Sequence, residues 1–86
     1  MPKIPRDISG RELANLLKKF GYEITRQTGS HMRLTISIKN EPHHITIPEH
    51  TPLKIGTLSQ ILKEVANYLN TGKDDLIKKL FEAAGR

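Results

Sequence analysis

The first part of the chain carries hydrophobic residues at helical spacing. They lie three or four positions apart, on one helix face, and are Leu13, Leu16, Leu17 and Phe20. Ahead of them, residues 9–12 read Ser-Gly-Arg-Glu, a capping box in which Ser9 and Glu12 satisfy free amides at a helix start. The pattern predicts a first helix from about Gly10, ended by Gly21 in a left-handed conformation. We expect its other face, with Arg11, to be solvated.

Hydrophobic and polar residues then alternate, as they do in strands with one buried face. A short run at residues 22–25 precedes a turn signal at residues 28–30. The next run has hydrophobic residues at every second position, namely Met32, Leu34, Ile36 and Ile38. After a hairpin loop at residues 39–42, Ile45 and Ile47 continue this apolar face. The pattern predicts three antiparallel strands.

Two further helical patterns follow. A second capping box at residues 57–60 opens a wide apolar stripe, formed by Leu58, Ile61, Leu62, Val65, Ala66 and Leu69. A third pattern runs from Leu76 to Ala84, with Asp74 and Asp75 in its first turn, where they complement the helix dipole. The order α-β-β-β-α, plus a C-terminal helix, predicts an α+β two-layer sandwich: a three-stranded antiparallel sheet with helices on one face. We expect residues 1–86 to form a single domain.

The strand register follows from which residues are buried and from the turn. The even-numbered residues of the second strand and the odd-numbered residues of the third are buried, so the two residue numbers of each cross-strand pair must add up to an odd number. A tight turn at Asn40 and Glu41 makes that sum 81. The expected pairs on the polar side, which we call the open face, are His31 with His50, Thr35 with Thr46, Gln27 with His31, and Thr25 with Arg33. The open face would then bring two imidazoles together beside arginine and hydroxyl groups.

Composition narrows the classes of partner. Fourteen Lys and Arg against nine Asp and Glu give a net charge of +5, which favours an anionic partner, either nucleic acid or an acidic protein. The chain has no cysteine, so disulfides, thiol nucleophiles and Cys-ligated zinc are excluded, and we expect a cytoplasmic location. Short, charge-interrupted apolar runs predict no membrane span.

The open-face residues suit chemistry on a phosphodiester. Histidine exchanges protons close to neutral pH, so His31 could take the proton of a ribose 2′-hydroxyl without any metal. Arg33, Arg26 or Lys54 would stabilise the charged phosphorane, and cleavage would leave a cyclic phosphate and a 5′-hydroxyl. The alternative is that His31 is an ordinary polar surface residue.

The sequence supports a metal site or a nucleotide site less well than it supports chemistry on a phosphodiester. His43, His44, Glu49 and His50 form a dense group in the sequence. Strand alternation puts His43 and His44 on opposite faces, and no metal-ligand motif is present. We expect His43 at the edge of the apolar face. The glycines match neither a phosphate loop nor a dinucleotide fingerprint, so we expect no cofactor.

Three motifs together identify a family resemblance. They are R-Q-T-G-S-H at residues 26–31, I-P-E-H at residues 47–50 and K-I-G-T-L at residues 54–58. Over about residues 4–70 the chain resembles the HicA (YcfA-like) toxins. The resemblance implies a fold like a double-stranded RNA-binding domain, and an mRNA interferase that a HicB-type antitoxin holds inactive.

The resemblance also implies site residues. The histidine of the G-S-H motif maps onto His31 as the catalytic residue, and the histidine after I-P maps onto His50, for support or RNA contact. Gly29 and Ser30 would shape the turn that presents His31. Thr57, with the glycine before it, would start the second helix.

Alternative functions share the predicted fold. A ribonuclease toxin would use His31 for acid–base chemistry and Arg26, Arg33 and Lys54 for phosphate contacts. A non-catalytic module for double-stranded RNA would use the same face for binding alone. A protein that only binds an antitoxin would have no affinity for RNA.

Overall fold

The computed structural model describes residues 7–37 and 40–82. These residues fall into two compact units, Asp7–Leu53 and a second that begins at Lys54, and each is described by itself. The expectations for Ile38, on the apolar face, and Ala84, in the third helix, lie outside the described residues. No helix within the described ranges has the length and apolar character needed to cross a membrane.

Helix α1 spans Gly10–Lys18 and begins as its sequence predicts. The Ser9 Oγ accepts a hydrogen bond from the Glu12 amide at 3.1 Å, which confirms the cap. After the helix, Gly21 has a φ of 108°, a conformation that favours glycine. The buried face of α1 consists of Gly10, Leu13, Ala14 and Leu17.

The three strands form one antiparallel sheet in the order β1-β2-β3. Their bounds are Glu23–Thr28 for β1, His31–Ile36 for β2 and His43–Pro48 for β3. Met32, Leu34 and Ile36 are buried in β2, whereas His31 and Arg33, which alternate with them, are exposed. Helix α1 contacts β1 and β3. The predicted alternation and the α+β class are therefore confirmed.

The predicted pairing of β2 with β3 is wrong by two positions. His31 lies opposite Pro48 rather than His50, and Thr35 lies opposite His44 rather than Thr46. The residue numbers of each pair add up to 79, and the last pair of the ladder is Ile36 with His43. The faces are unchanged, since a shift of two keeps every side chain on its side.

The predicted pairing of β1 with β2 is also wrong near the turn. Thr28, not Gln27, lies opposite His31, and Arg26 lies opposite Arg33. The register shifts between Ile24 and Arg26, so Thr25 is the extra residue of a β-bulge. An inserted residue reverses the parity along the rest of the strand.

The second unit contains helices α2, Ile55–Leu69, and α3, Lys73–Ile77, with a π-helical turn at Lys78–Glu82. Helix α2 starts before the predicted capping box, and its N-cap residue Lys54 makes no side-chain cap bond. Asn70 ends α2 in the left-handed conformation, with φ 56°. Lys73 Nζ donates a hydrogen bond to the Ser59 Oγ at 2.5 Å, which links α3 to α2.

The expected first-turn carboxylates Asp74 and Asp75 are confirmed in α3. The likeness to a double-stranded RNA-binding domain, with helices on one face, and the single domain over residues 1–86 stay predictions.

Gly10 lies where α1 meets the end of β3, and a substitution there tests this contact. A Cβ on Gly10 would lie 2.0 Å from the Pro48 carbonyl oxygen, so the backbone would have to move. We expect Gly10→Ala to lower the free energy of unfolding by about 1–3 kcal/mol in urea titrations.

Gly56→Ala in α2 is the matched control. A Cβ there meets nothing within 4 Å, and we expect a gain of about 0.5–1 kcal/mol because alanine favours the helix. A Gly10→Ala variant as stable as wild type would contradict the close contact.

Candidate functional site on the open face

A two-residue turn presents His31. Gly29 and Ser30 join β1 to β2, and Gly29 has a φ of 57° with open space around it. Glycine in the first central position with positive φ is typical of a hairpin turn whose twist matches the strands. His31 is therefore the first residue of β2, exposed, with Thr28 opposite it.

The segment after β3 is fixed by backbone hydrogen bonds to this turn and to α1. The Glu49 amide donates to the Ser30 carbonyl at 2.6 Å, and the Gly10 amide donates to the His50 carbonyl at 2.9 Å. The Leu53 amide donates to the Ile8 carbonyl at 2.8 Å. The I-P-E-H segment is thus attached to the G-S-H turn through its backbone.

Side chains reinforce the same junction. Arg11 Nη2 lies 3.0 Å from Glu49 Oε2, and the Gln27 amide donates to Glu49 Oε1 at 2.9 Å. Arg11 Nη2 also donates to Gln27 Oε1 at 3.3 Å. Arg11 keeps 41% of its side chain exposed, and it also pairs with Glu49, which the sequence did not predict. We call Arg11, Gln27 and Glu49 the junction cluster.

Two positively charged side chains lie at paired positions on the open face. Arg26 of β1 and Arg33 of β2 lie directly opposite each other, and both are exposed. Like charges at paired positions destabilise a sheet. Neither guanidinium makes a hydrogen bond or ion pair to the part of the chain that the structure describes. An anion between them would relieve the repulsion, so the pair suits a phosphate.

His31 lies next to this arginine pair. It is two residues before Arg33 on the same side of β2, about 7 Å along the strand. An exposed imidazole on the same face as two arginines can exchange a proton with a group attached to a bound phosphate.

Other predicted site residues occupy different places. His50 follows β3 and is exposed, but the ladder does not place it opposite His31. Lys54 is the exposed N-cap of α2, and Thr57 is a half-buried residue in its first turn; both belong to the second unit. Thr57 does not cap the helix.

His43 and His44 point to opposite faces, as predicted. His43 pairs with the buried Ile36 and is half-buried, and its Nδ1 lies 2.9 Å from the hydroxyl of the buried Tyr22. His44 lies on the open face. Among residues 7–37 and 40–82, no three His, Asp or Glu side chains group closely enough to hold a metal ion.

Sequence reasoning missed the junction cluster. Gln27 and Glu49 lie within two of the recognised motifs, and that was the available signal. Arg11 carried none, because its partner is 38 residues away in sequence.

Comparison with known proteins gives one match. The family model described as "HicA toxin of bacterial toxin-antitoxin" matches residues 10–66, which is more than half of the chain. No curated protein and no solved structure matches significantly.

A double-mutant cycle tests the ion pair of the junction cluster. The side chains of Arg11 and Glu49 are 41% and 33% exposed, so solvent screens their attraction. For Arg11→Ala and Glu49→Ala we expect a coupling of up to about 1 kcal/mol in the free energy of unfolding at low salt. It should nearly vanish at about 1 M NaCl, where the Debye length is about 3 Å.

Lys18→Ala combined with Glu49→Ala is the control, since Lys18 is exposed near the end of α1. These two changes should be additive. Additivity of the Arg11 and Glu49 changes at low salt would show that the pair contributes nothing to stability.

Proposed function

Because the chain belongs to the HicA toxin family of bacterial toxin–antitoxin systems, we propose that it is a metal-independent endoribonuclease. It cleaves mRNA in the cytoplasm and thereby inhibits translation. A toxin of such a system has a cognate antitoxin, and we propose that this partner is of the HicB type and blocks cleavage.

The observation that carries this proposal is the position of His31 beside the opposed pair Arg26 and Arg33. RNA supplies both chemical groups that this arrangement needs, because the 2′-hydroxyl is a nucleophile next to a phosphodiester. An imidazole that can accept a proton and two positive charges complete the requirements without a metal.

The reaction follows from these roles. His31 takes the proton of the 2′-hydroxyl as its oxygen attacks phosphorus, and the bond from phosphorus to the 5′-oxygen breaks. Arg26 and Arg33 stabilise the extra negative charge on the phosphorane. The departing 5′-oxygen takes a proton from water, and the hydroxide that remains takes the proton from His31, which returns His31 to its starting state. The products are a 2′,3′-cyclic phosphate and a 5′-hydroxyl end.

The remaining site residues have supporting roles in this proposal. Gly29 and Ser30 form the turn that presents His31, and the backbone bond from Glu49 to Ser30 supports that turn. His50 contacts RNA near the same turn. Lys54 and Thr57 supply further contacts to phosphate from the start of α2.

A non-catalytic role remains the competing function, because the arginine pair would bind RNA whether or not cleavage follows. A module for double-stranded RNA would recognise the shape and phosphates of the helix. Cleavage assays separate the two functions.

His31→Ala tests catalysis. In EDTA, with a defined RNA, we expect the variant to cleave about 10²–10⁴-fold more slowly than wild type, the usual contribution of an acid–base group. Unfolding in urea should be unchanged, because His31 is exposed. The exposed α2 variant Asn67→Ala is the control and should cleave normally.

Equal cleavage by wild type and His31→Ala would remove His31 from catalysis. If wild type binds RNA in a salt-dependent way but does not cut it, the enzyme proposal gives way to the binding module.

Salt dependence tests the arginine pair. For Arg26→Ala or Arg33→Ala we expect the slope of log affinity for RNA against log salt concentration to fall in magnitude by about 0.7–1, as expected when one phosphate contact is lost. Lys18→Ala removes the same charge from α1 and should keep the wild-type slope. An equal effect of all three changes would indicate that only net charge matters.

A further inference from the structure

A chain of hydrogen bonds on the open face ends at His44. The Thr25 Oγ1 lies 2.9 Å from the Thr35 Oγ1, which lies 2.8 Å from the His44 Nδ1. The Thr25 hydroxyl also donates to the Arg33 carbonyl oxygen at 3.3 Å. Thr25 is the extra residue of the β-bulge and directly precedes Arg26, which lies opposite Arg33.

This chain of hydrogen bonds fixes which atom is the donor in each bond. A hydroxyl has one proton, and Thr25 uses its proton on a carbonyl that can only accept. Thr35 must then donate to Thr25, and its own proton is also used. Thr35 can therefore only accept from His44, so the proton of the neutral His44 ring is on Nδ1.

This assignment leaves the Nε2 of His44 as a hydrogen-bond acceptor on an exposed side chain. Within the described ranges, no hydrogen bond involves this nitrogen. A phosphodiester offers only acceptors and cannot donate a hydrogen bond to this nitrogen. The 2′-hydroxyl is the group of the RNA backbone that can donate.

We propose that His44 Nε2 accepts a hydrogen bond from a ribose 2′-hydroxyl and so selects RNA over DNA. The inference rests on the proposed function, because it needs RNA on the open face. Thr35, the β2 partner of His44, is four residues from His31, about 13 Å along the strand. The contacted ribose therefore belongs to a nucleotide away from the bond that is cleaved, with Arg33 between the two histidines.

The tautomer is tested in the free protein. In ¹⁵N-detected NMR of the neutral ring, we expect His44 to show a protonated Nδ1 and an unprotonated Nε2. Thr35→Ser keeps the hydroxyl and should keep this pattern, whereas Thr35→Val should lose it. A dominant Nε2-protonated ring in wild type would overturn the inference.

Binding is tested with His31→Ala as the background, so that the RNA stays intact, and with a single-stranded RNA and a DNA of the same sequence. Adding His44→Ala should weaken RNA binding about 5- to 10-fold, the loss of one hydrogen bond, and change DNA binding less than about twofold. Adding Thr35→Val should act in the same direction, and adding Thr35→Ser should restore most of the RNA affinity.

The outcomes distinguish the two proposals. Salt-dependent RNA binding that His44→Ala leaves unchanged, or weakens equally for RNA and DNA, overturns the 2′-hydroxyl contact but not the proposed function. A His31→Ala protein without any affinity for RNA overturns both.

Discussion

The structure of the first unit depends on a backbone junction between segments that are distant in sequence. The Glu49 amide bonds to the Ser30 carbonyl, and the Gly10 amide bonds to the His50 carbonyl. Only a residue without a Cβ fits at position 10, because the Pro48 carbonyl occupies that space. The junction fixes the G-S-H turn against the end of β3. It therefore also fixes the backbone of His31. In the proposed function His31 is catalytic, and a side chain with that role at the end of a strand needs such support to hold its direction.

The alternation of hydrophobic and polar residues in β2 places one set of side chains in the core and the other set in the candidate site. Its even-numbered side chains are buried, and His31 and Arg33 consequently lie on the open face. The small size of the chain leaves little volume for a deep cavity, so a shallow, charged surface is the form of site that it can build. RNA suits this surface because an RNA strand carries its own nucleophile, the 2′-hydroxyl, and the negative charge of its phosphates. The bulge at Thr25 places a second arginine, Arg26, on the same side, opposite Arg33.

The sequence predicted features that local pattern determines, and it failed where distant contacts decide. The cap at Ser9 and the faces of β2 were correct, because each depends on residues close in sequence. The predicted register, in which paired residue numbers add up to 81, and the observed register, in which they add up to 79, bury the same side chains. The hydrophobic pattern therefore could not distinguish the two registers. Helix α2 begins at Ile55, which is 43% exposed and so lies outside the apolar stripe. The pairing of Arg11 with Glu49 depends on tertiary structure, so helical periodicity could not predict it.

In the proposed function, RNA supplies the nucleophile to a metal-free site. The most direct test is a short RNA that contains a single 2′-deoxynucleotide on the 5′ side of a mapped cleavage position, incubated with wild type in EDTA. We predict that cleavage at that bond is lost while neighbouring bonds are still cut and end in 2′,3′-cyclic phosphates. Undiminished cleavage at the modified bond would mean that another nucleophile attacks the phosphate, and would contradict the proposed role of His31.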